Sequence, residues 1–450
     1  MEEVFKYIKQ HESQFVEELR SIVQQPSIAA QNVGMTETAE KLADYMRSLG
    51  ITTEIYPIEN GHPVVFGEIK GESEKSILFY NHYDVQPPEP LELWETAPFS
   101  ADIRDGKIFG RGVADNKGAL MARLQAVATI KAVEGKLPVT VKFLVEGEEE
   151  IGSPNLQGFV DAHREMVRSD LCIWENAYGD EDGSPTIRLG LKGMCYVELA
   201  VESMIIDSHS KNATIYPNAA WELVWALSTL KDRNENVLIE GFYDDVIEPG
   251  QEEIEVIKKV PINEEKIKAR AGVKKLVRNV SGYEIAKAMY NFPTCTICGI
   301  NSGYTGPGQK TVLPAKSIAK IDMRLVPNQD PDDIYEKLMA HLKKHGFENI
   351  KVKRFTKSYP SKTPVTAPYI DLIYETGALA YDRKPVIEPL SIGTGPRYVF
   401  SNWTDMPMVA LGVSNAGSQS HAPNENIYIS DYIAGIKHIA LLISNFVDKR

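Results

Sequence analysis

Three apolar runs of this chain each end in side chains able to bind a cation. Ser76-Ile77-Leu78-Phe79-Tyr80 leads into Asn81-His82-Tyr83-Asp84, and the segment from Val139 to Val145 leads into Glu146-Gly147-Glu148-Glu149-Glu150. Leu171-Cys172-Ile173-Trp174 ends in Glu175. Short continuous apolar runs read as strands buried on both faces. In an open α/β sheet the edge where strands end is where ligands and chemistry collect. The pattern predicts an α/β fold that delivers histidine and carboxylates to one sheet edge, an arrangement suited to metal-dependent hydrolysis.

At 450 residues the chain is too long for one ordinary core, so two domains are expected. Ala39, Leu42, Ala43, Met46 and Leu49 fall at helical spacing between Thr36 and Gly50, and Gly50 supplies the stop. Strand-like runs follow at Thr53–Tyr56, Val64–Ile69 and Ser76–Tyr80, then a long helix from Gly118 to Val133. Strands interleaved with helices predict a layered α/β unit with a largely parallel core. From about Thr186 the texture changes. Cys195, Val197, Leu199 and Val201 alternate with Tyr196, Glu198, Ala200 and Glu202, and Ile321, Met323 and Leu325 alternate with Lys320, Asp322 and Arg324. A helix beginning at Pro217, an amphipathic helix over Asp332–His345 and a strand near Ile350–Phe355 complete a small α+β unit of ferredoxin-like character. The α/β texture then returns from Pro364, with a strand at Met408–Val413. The expected organisation is a first domain over 1–188 and 363–450, interrupted by an inserted one over 189–362.

Composition narrows the function. A net charge of −13 argues against nucleic acid, because phosphate binding needs a basic surface. No apolar run approaches the roughly 20 residues of a membrane span, and Met1-Glu2-Glu3-Val4-Phe5-Lys6 has neither the basic start nor the apolar core of a signal peptide. Four cysteines are too few for a disulfide framework. Cys295-Thr296-Ile297-Cys298 lacks a second pair to complete a zinc site and reads as a buried strand. A cytoplasmic, reducing setting is expected.

Within the candidate site, His82 and Asp84 are two apart and point the same way on an extended strand end, so the carboxylate can orient the imidazole. Taken alone, that pair reads as an ordinary surface pair. Asp115 precedes a helix in Gly110-Arg111-Gly112-Val113-Ala114-Asp115-Asn116-Lys117-Gly118. Both a helix N-cap and a metal-bridging carboxylate fit that position. Adjacent carboxylates such as Glu149 and Glu150 can divide labour near a cation, one binding metal and one moving protons. His421 lies in a loop, Ser420-His421-Ala422-Pro423-Asn424-Glu425, after the last strand, whereas His341, His345 and His438 fall on helices and read as structural.

These ordered motifs resemble the two-metal (zinc) peptidases and amidohydrolases that include carnosine dipeptidase, glutamate carboxypeptidase, aminoacylase and succinyl-diaminopimelate desuccinylase. The resemblance spans nearly the whole chain. It is strongest to the carnosine-dipeptidase-like branch, through His82-Tyr83-Asp84-Val85-Gln86-Pro87, Gly308-Gln309-Lys310-Thr311-Val312-Leu313-Pro314 and Met323-Arg324-Leu325-Val326-Pro327. It implies a three-layer α/β catalytic domain carrying an inserted ferredoxin-like domain that serves as lid and dimerisation unit. It also implies His82, Glu150, Glu175 and His421 as ligands of two divalent ions, Asp115 as their bridge, Glu149 as general base and Asp84 as the residue orienting His82. Zn²⁺ is the expected metal, with Mn²⁺ or Co²⁺ compatible with the same oxygen and nitrogen donors.

In the inserted domain the resemblance implies that His209 reaches the partner subunit's site in a homodimer. Thr311, Arg324, His209 and Gly395 would contact substrate. The implied reaction is hydrolysis of the amide bond of dipeptides or short peptides with a free C-terminal carboxylate, by a metal-bridging water activated by Glu149. Two departures bear on substrate. Position 175 is Glu, where dipeptidase and aminopeptidase members commonly carry Asp, and the loop Ser391-Ile392-Gly393-Thr394-Gly395-Pro396-Arg397 differs from the arginine-containing glycine–serine segment of the dipeptidases. An N-acyl-amino-acid deacylase, of the succinyl-diaminopimelate desuccinylase or acetylornithine deacetylase kind, is therefore the alternative. A non-catalytic binding protein is the remote one, since no ligand of the pattern is missing.

Overall fold

The computed structural model describes residues 2–447. The chain divides into two compact units. One runs to Gly190 and adds Thr363–Pro389 and the residues from Val399 onward, and the other comprises Leu191–Lys362 and Leu390–Tyr398. The loop bearing Gly395 thus groups with the inserted segment.

The first unit is built on an eight-stranded sheet. Across it run Thr52–Tyr56, Val64–Ile69, Thr140–Glu146, Ser76–His82, Leu171–Trp174, Met408–Ala410, Thr186–Arg188 and Val386–Glu388. Its four middle strands, from Thr140–Glu146 to Met408–Ala410, are mutually parallel. The outer pairs at one side are antiparallel, so the sheet as a whole is mixed around the expected parallel core. The middle strands are buried on both faces, which is why they read as unbroken apolar runs. Ile77, Phe79, Val141, Phe143, Leu171 and Ile173 enter the main core. Alternate positions face the other way, where Tyr80 stacks on Trp174 with ring centroids 3.8 Å apart and Phe400 meets both edge-on. The helix Met35–Ser48 covers the outer strands, and Gly118–Glu134 packs against Ile429–Asn445.

The strand expected over Met408–Val413 stops at Ala410. Beyond it the carbonyl of Leu411 accepts a hydrogen bond from Arg123 rather than from a neighbouring strand, at 3.0 Å.

The second unit holds a four-stranded antiparallel sheet in the order Thr296–Ser302, Lys316–Leu325, Gly193–Glu202, Lys351–Ser358. With the helices Ala219–Leu230 and Pro331–Lys344 on one face, the chain order is strand–helix–strand–strand–helix–strand, the ferredoxin-like arrangement. Cys195, Val197, Leu199, Ile321 and Met323 meet Leu223, Ala226, Leu338 and Leu342 in its core. Two expectations change here. Pro217 does not open the helix: Asn218 caps it, its side-chain oxygen accepting from the amides of Ala220 and Trp221 at 2.9 and 3.4 Å. The segment after Cys295 is a strand but not a buried one, because Thr296–Ser302 lies at the sheet edge with Ile297 and Ile300 exposed. Among the described residues no helix is long and apolar enough to cross a membrane.

Candidate metal centre

Parallel register places the chemistry. Ser76–His82 pairs with Thr140–Glu146 so that His82 lies opposite Glu146, and with Leu171–Trp174 so that Phe79 lies opposite Ile173. The three strands therefore discharge His82, the Glu149–Glu150 turn and Glu175 onto one edge. Asp115 reaches the same place from the loop before Gly118–Glu134, and His421 from the loop before Asn426–Tyr428. Two groups result. His82, Glu149 and Glu175 offer ligand atoms within 4.8 Å of one another, and so do Asp115, Glu150 and His421.

Asp115 stands between the groups. One of its oxygens (Oδ1) lies 3.2 Å from His82 Nε2 and the other (Oδ2) 3.5 Å from His421 Nε2. It has non-helical dihedrals and makes no side-chain cap, so the N-cap reading of this residue does not hold. His421 Nε2 is also 3.1 Å from Glu150 Oε2, and His82 Nε2 is 3.7 Å from Glu175 Oε2.

Asp84 organises the buried half. Its backbone carbonyl is 3.1 Å and its carboxylate 3.4 Å from His82 Nδ1. The same carboxylate accepts from the amides of Glu149 and Glu150, at 3.3 and 2.9 Å, which ties the histidine to the acidic turn.

Within the acidic block the roles separate. Glu148 turns away, accepting from Asn155 Nδ2 at 2.9 Å and from the His62 amide at 3.0 Å. Glu146 is buried beneath Tyr80 and Ser153, and burial pushes its pKa up to about 8. Glu149 and Glu150 face the cluster.

The electrostatics suit cations. Burial, then the charge of Glu175, raises the pKa of Glu149 well above its ordinary value, and burial pushes Glu175 up to about 7. Hydrogen bonds to Asp115 and Glu150 push His421 up to about 10. Burial opposes charge on His82, but its contacts with Asp115 and Asp84 outweigh that and raise its pKa well above 6.5. The cluster as built holds protons that divalent cations would displace. Glu175 adds a second sign: Oε1 accepts from Trp174 Nε1 at 3.0 Å, while Oε2 is buried without a hydrogen-bond partner. A buried carboxylate oxygen in that condition is costly unless a cation meets it. Carboxylates and imidazoles without thiolate fit two divalent ions of the zinc, manganese or cobalt class.

Three residues outside the expected ligand set support it. Arg123, buried on Gly118–Glu134, donates to the carbonyls of Tyr80, Ile173, Trp174, Glu175 and Leu411 and to Asn81 Oδ1. It closes the ends of three strands beneath the cluster. Glu425, 1 % exposed, accepts from Arg111 Nη1 at 2.7 Å and from the amides of Gly112, Ala114 and Asp115 at 2.9–3.0 Å. It thereby fixes the loop that presents Asp115. Gln86 donates to Glu150 Oε2 at 2.9 Å.

The remaining expected residues belong to the second unit. His209 is exposed on the short strand Ser208–His209, whose partner is Val312–Leu313, and Ser210 N donates to the Thr311 carbonyl at 3.1 Å. Arg324 donates to Asp322 Oδ2 at 3.1 Å and to Thr394 Oγ1 at 2.8 Å, which brings it to the loop containing Gly395.

Comparison with known proteins follows the same lines. The family model described as Peptidase family M20/M25/M40 matches residues 78–445. An M20 family metallo-carboxypeptidase from Sulfolobus solfataricus superposes with a TM-score of 0.90 at 41% identity, covering 96% of this chain and 98% of that one. The human Beta-Ala-His dipeptidase is 29% identical over 98% of this chain and 91% of its own length. A Cys-Gly metallodipeptidase of Schizosaccharomyces pombe is 27% identical over 97% of this chain and 96% of its own.

Proposed function

The chain belongs to peptidase family M20/M25/M40, and from that premise we propose that it is a metal-dependent peptidase acting on dipeptides or short peptides with a free C-terminal carboxylate. One observation carries the reading: two compact groups of carboxylate and imidazole lie together, and Asp115 of one group reaches His82 of the other as well as His421 of its own. The dipeptidase and carboxypeptidase relatives agree with it in bond type, and the dipeptidases also in substrate size.

His82, Glu175 and Asp115 hold one ion in this reading, and Glu150, His421 and Asp115 the other, most simply Zn²⁺. Two such ions, when bound, supply Lewis acidity that polarises a carbonyl and makes water acidic enough to attack near neutral pH. Glu149, which lies in the group of His82 and Glu175, takes the water proton as the carbon–oxygen bond forms and returns it to the departing amine as the carbon–nitrogen bond breaks. Asp84 keeps the His82 ring in place. His209 donates to the developing oxyanion, while Thr311 and the Gly395 loop contact the substrate. Arg324, already oriented by Asp322 and Thr394, pairs with the terminal carboxylate.

A homodimer through the inserted unit is part of the proposal. Trp221, Val224 and Trp225 are exposed on one helix face, and the edge strand Thr296–Ser302 exposes Ile297 and Ile300. Those are features of a surface that pairs with another chain. Four free cysteines support a cytoplasmic setting.

The test is to incubate the metal-loaded protein with dipeptides, longer peptides and N-acetyl or N-succinyl amino acids, and to identify products by mass, with Glu149→Ala as the blank. Release of free amino acids from short peptides is expected. Preference for acylated amino acids over every peptide overturns the peptidase reading in favour of a deacylase. Mixing Glu149→Ala with His209→Ala protomers is expected to restore turnover; no recovery in demonstrated hybrids removes His209 from the partner's site.

A further inference from the structure

Resting on the two-ion reading, we infer that Tyr178 is a positioning residue that supports one of the two cation positions selectively, the one formed by Asp115, Glu150 and His421. The two histidines are held very differently. The His82 side chain is 1% exposed, and Asp84 anchors its second ring nitrogen. The His421 side chain is 53% exposed, and its ring contacts among the described residues are Asp115 and Glu150, with nothing corresponding to Asp84. Its backbone sits at φ +63°, a left-handed conformation that costs a β-carbon residue free energy. Something in the loop has to hold it.

Tyr178 meets that need. Its hydroxyl lies 3.2 Å from Asp115 Oδ2 and 2.8 Å from Ser420 Oγ, the residue before His421. A phenol has one proton. Given to the carboxylate, it leaves the phenol oxygen to accept from the Ser420 hydroxyl. Tyr178 is itself fixed by parallel pairing of Tyr178–Gly179 with Ser414–Asn415. Both contacts fall on the same half of the cluster. Asp115 Oδ2 faces His421, whereas the oxygen facing His82 takes no bond from Tyr178. The phenol therefore bonds the bridging carboxylate through the oxygen that faces His421, holds the His421 loop through Ser420, and makes no hydrogen bond to His82, Glu149 or Glu175, so its support falls mainly on the His421 side.

Removing a partner of a metal ligand typically costs about 10- to 100-fold in affinity. Co²⁺ titrated into the metal-free protein, followed by visible absorption and by competition with a chelating dye, separates the two equivalents. For Tyr178→Phe the weaker equivalent is expected to loosen at least tenfold with an altered absorption band, while the tighter one stays within twofold. Ser420→Ala is expected to loosen the same equivalent by less. The thermal unfolding of the metal-free protein is expected to be unchanged, which separates positioning from a merely structural loss. Equal weakening of both equivalents, or of neither, overturns the inference while leaving the two-ion reading intact. A wild-type chain that binds fewer than two ions overturns both.

Discussion

In the first unit His82 is buried, every candidate ligand lies within reach of another, and Asp84, Glu425 and Arg123 fix the loops and strand ends that carry them. In the second, His209 is exposed with its ring bonded to a nearby amide, and Arg324 leans on Asp322 and Thr394. The contrast is between a cluster that, His421 apart, has given up most of its water and groups that keep more of it. Holding crowded carboxylates out of water needs a surrounding core that forbids them to move, and the sheet of the first unit is that core. In the roles proposed for them, His209 and Arg324 gain from remaining hydrated until a substrate arrives.

The sharpest way to break this contrast is Glu149→Gln. If the buried cluster supplies proton transfer, kcat falls by about 10³-fold, while metal analysis still finds two ions per chain; loss of an ion would instead make Glu149 a ligand. Arg123→Met comes next, because it strands several strand-end carbonyls in a dry interior. An unfolding free energy lower by about 3–4 kcal/mol is expected, read from denaturant titration, and an unchanged midpoint would mean that the edge is not pinned from beneath.

Acid probes the same difference. Burial lowers the pKa of His438 to about 4, and its Nε2 lies 3.0 Å from the Ile373 carbonyl. The unfolded chain then binds the proton more readily than the native one between about pH 6.5 and 4, so this histidine removes stability as pH falls through that window, by at most about 3 kcal/mol. His438→Gln should lose that component of the pH dependence; an identical slope in the variant refutes it. The smallest effect is expected in the second unit. Arg324→Ala should raise KM for peptides about 30-fold, some 2 kcal/mol of lost charge-assisted bonding, with kcat little altered. A fall in kcat with KM constant would place Arg324 with the reacting groups instead.

The sequence disclosed the cluster where residue type and strand period agreed. His82, Glu150 and Glu175 stand at the ends of buried strands, and a run of apolar residues closed by a charge is visible without coordinates. It did not disclose which glutamate of the acidic block turns away, because Glu148 is chosen by Asn155 and the His62 amide, contacts distant in sequence. Arg123 belongs to no motif, since its acceptors are main-chain carbonyls at the ends of three separate strands. The segment after Cys295 departs from the buried strand expected of it for a related reason: composition marks a strand but not whether that strand has a neighbour on both sides.

The grip of Glu425 on the amides of Gly112, Ala114 and Asp115 has a consequence for biosynthesis. The side chain that shapes the Asp115 loop is made some three hundred residues after it. A growing polypeptide on the ribosome therefore carries His82, Asp115 and the glutamates long before it can present them correctly. On the proposed ligand set, tight capture of a pair of ions waits until the segment carrying His421 and Glu425 has emerged and docked, so acquisition of metal becomes a late event in the folding of this unit.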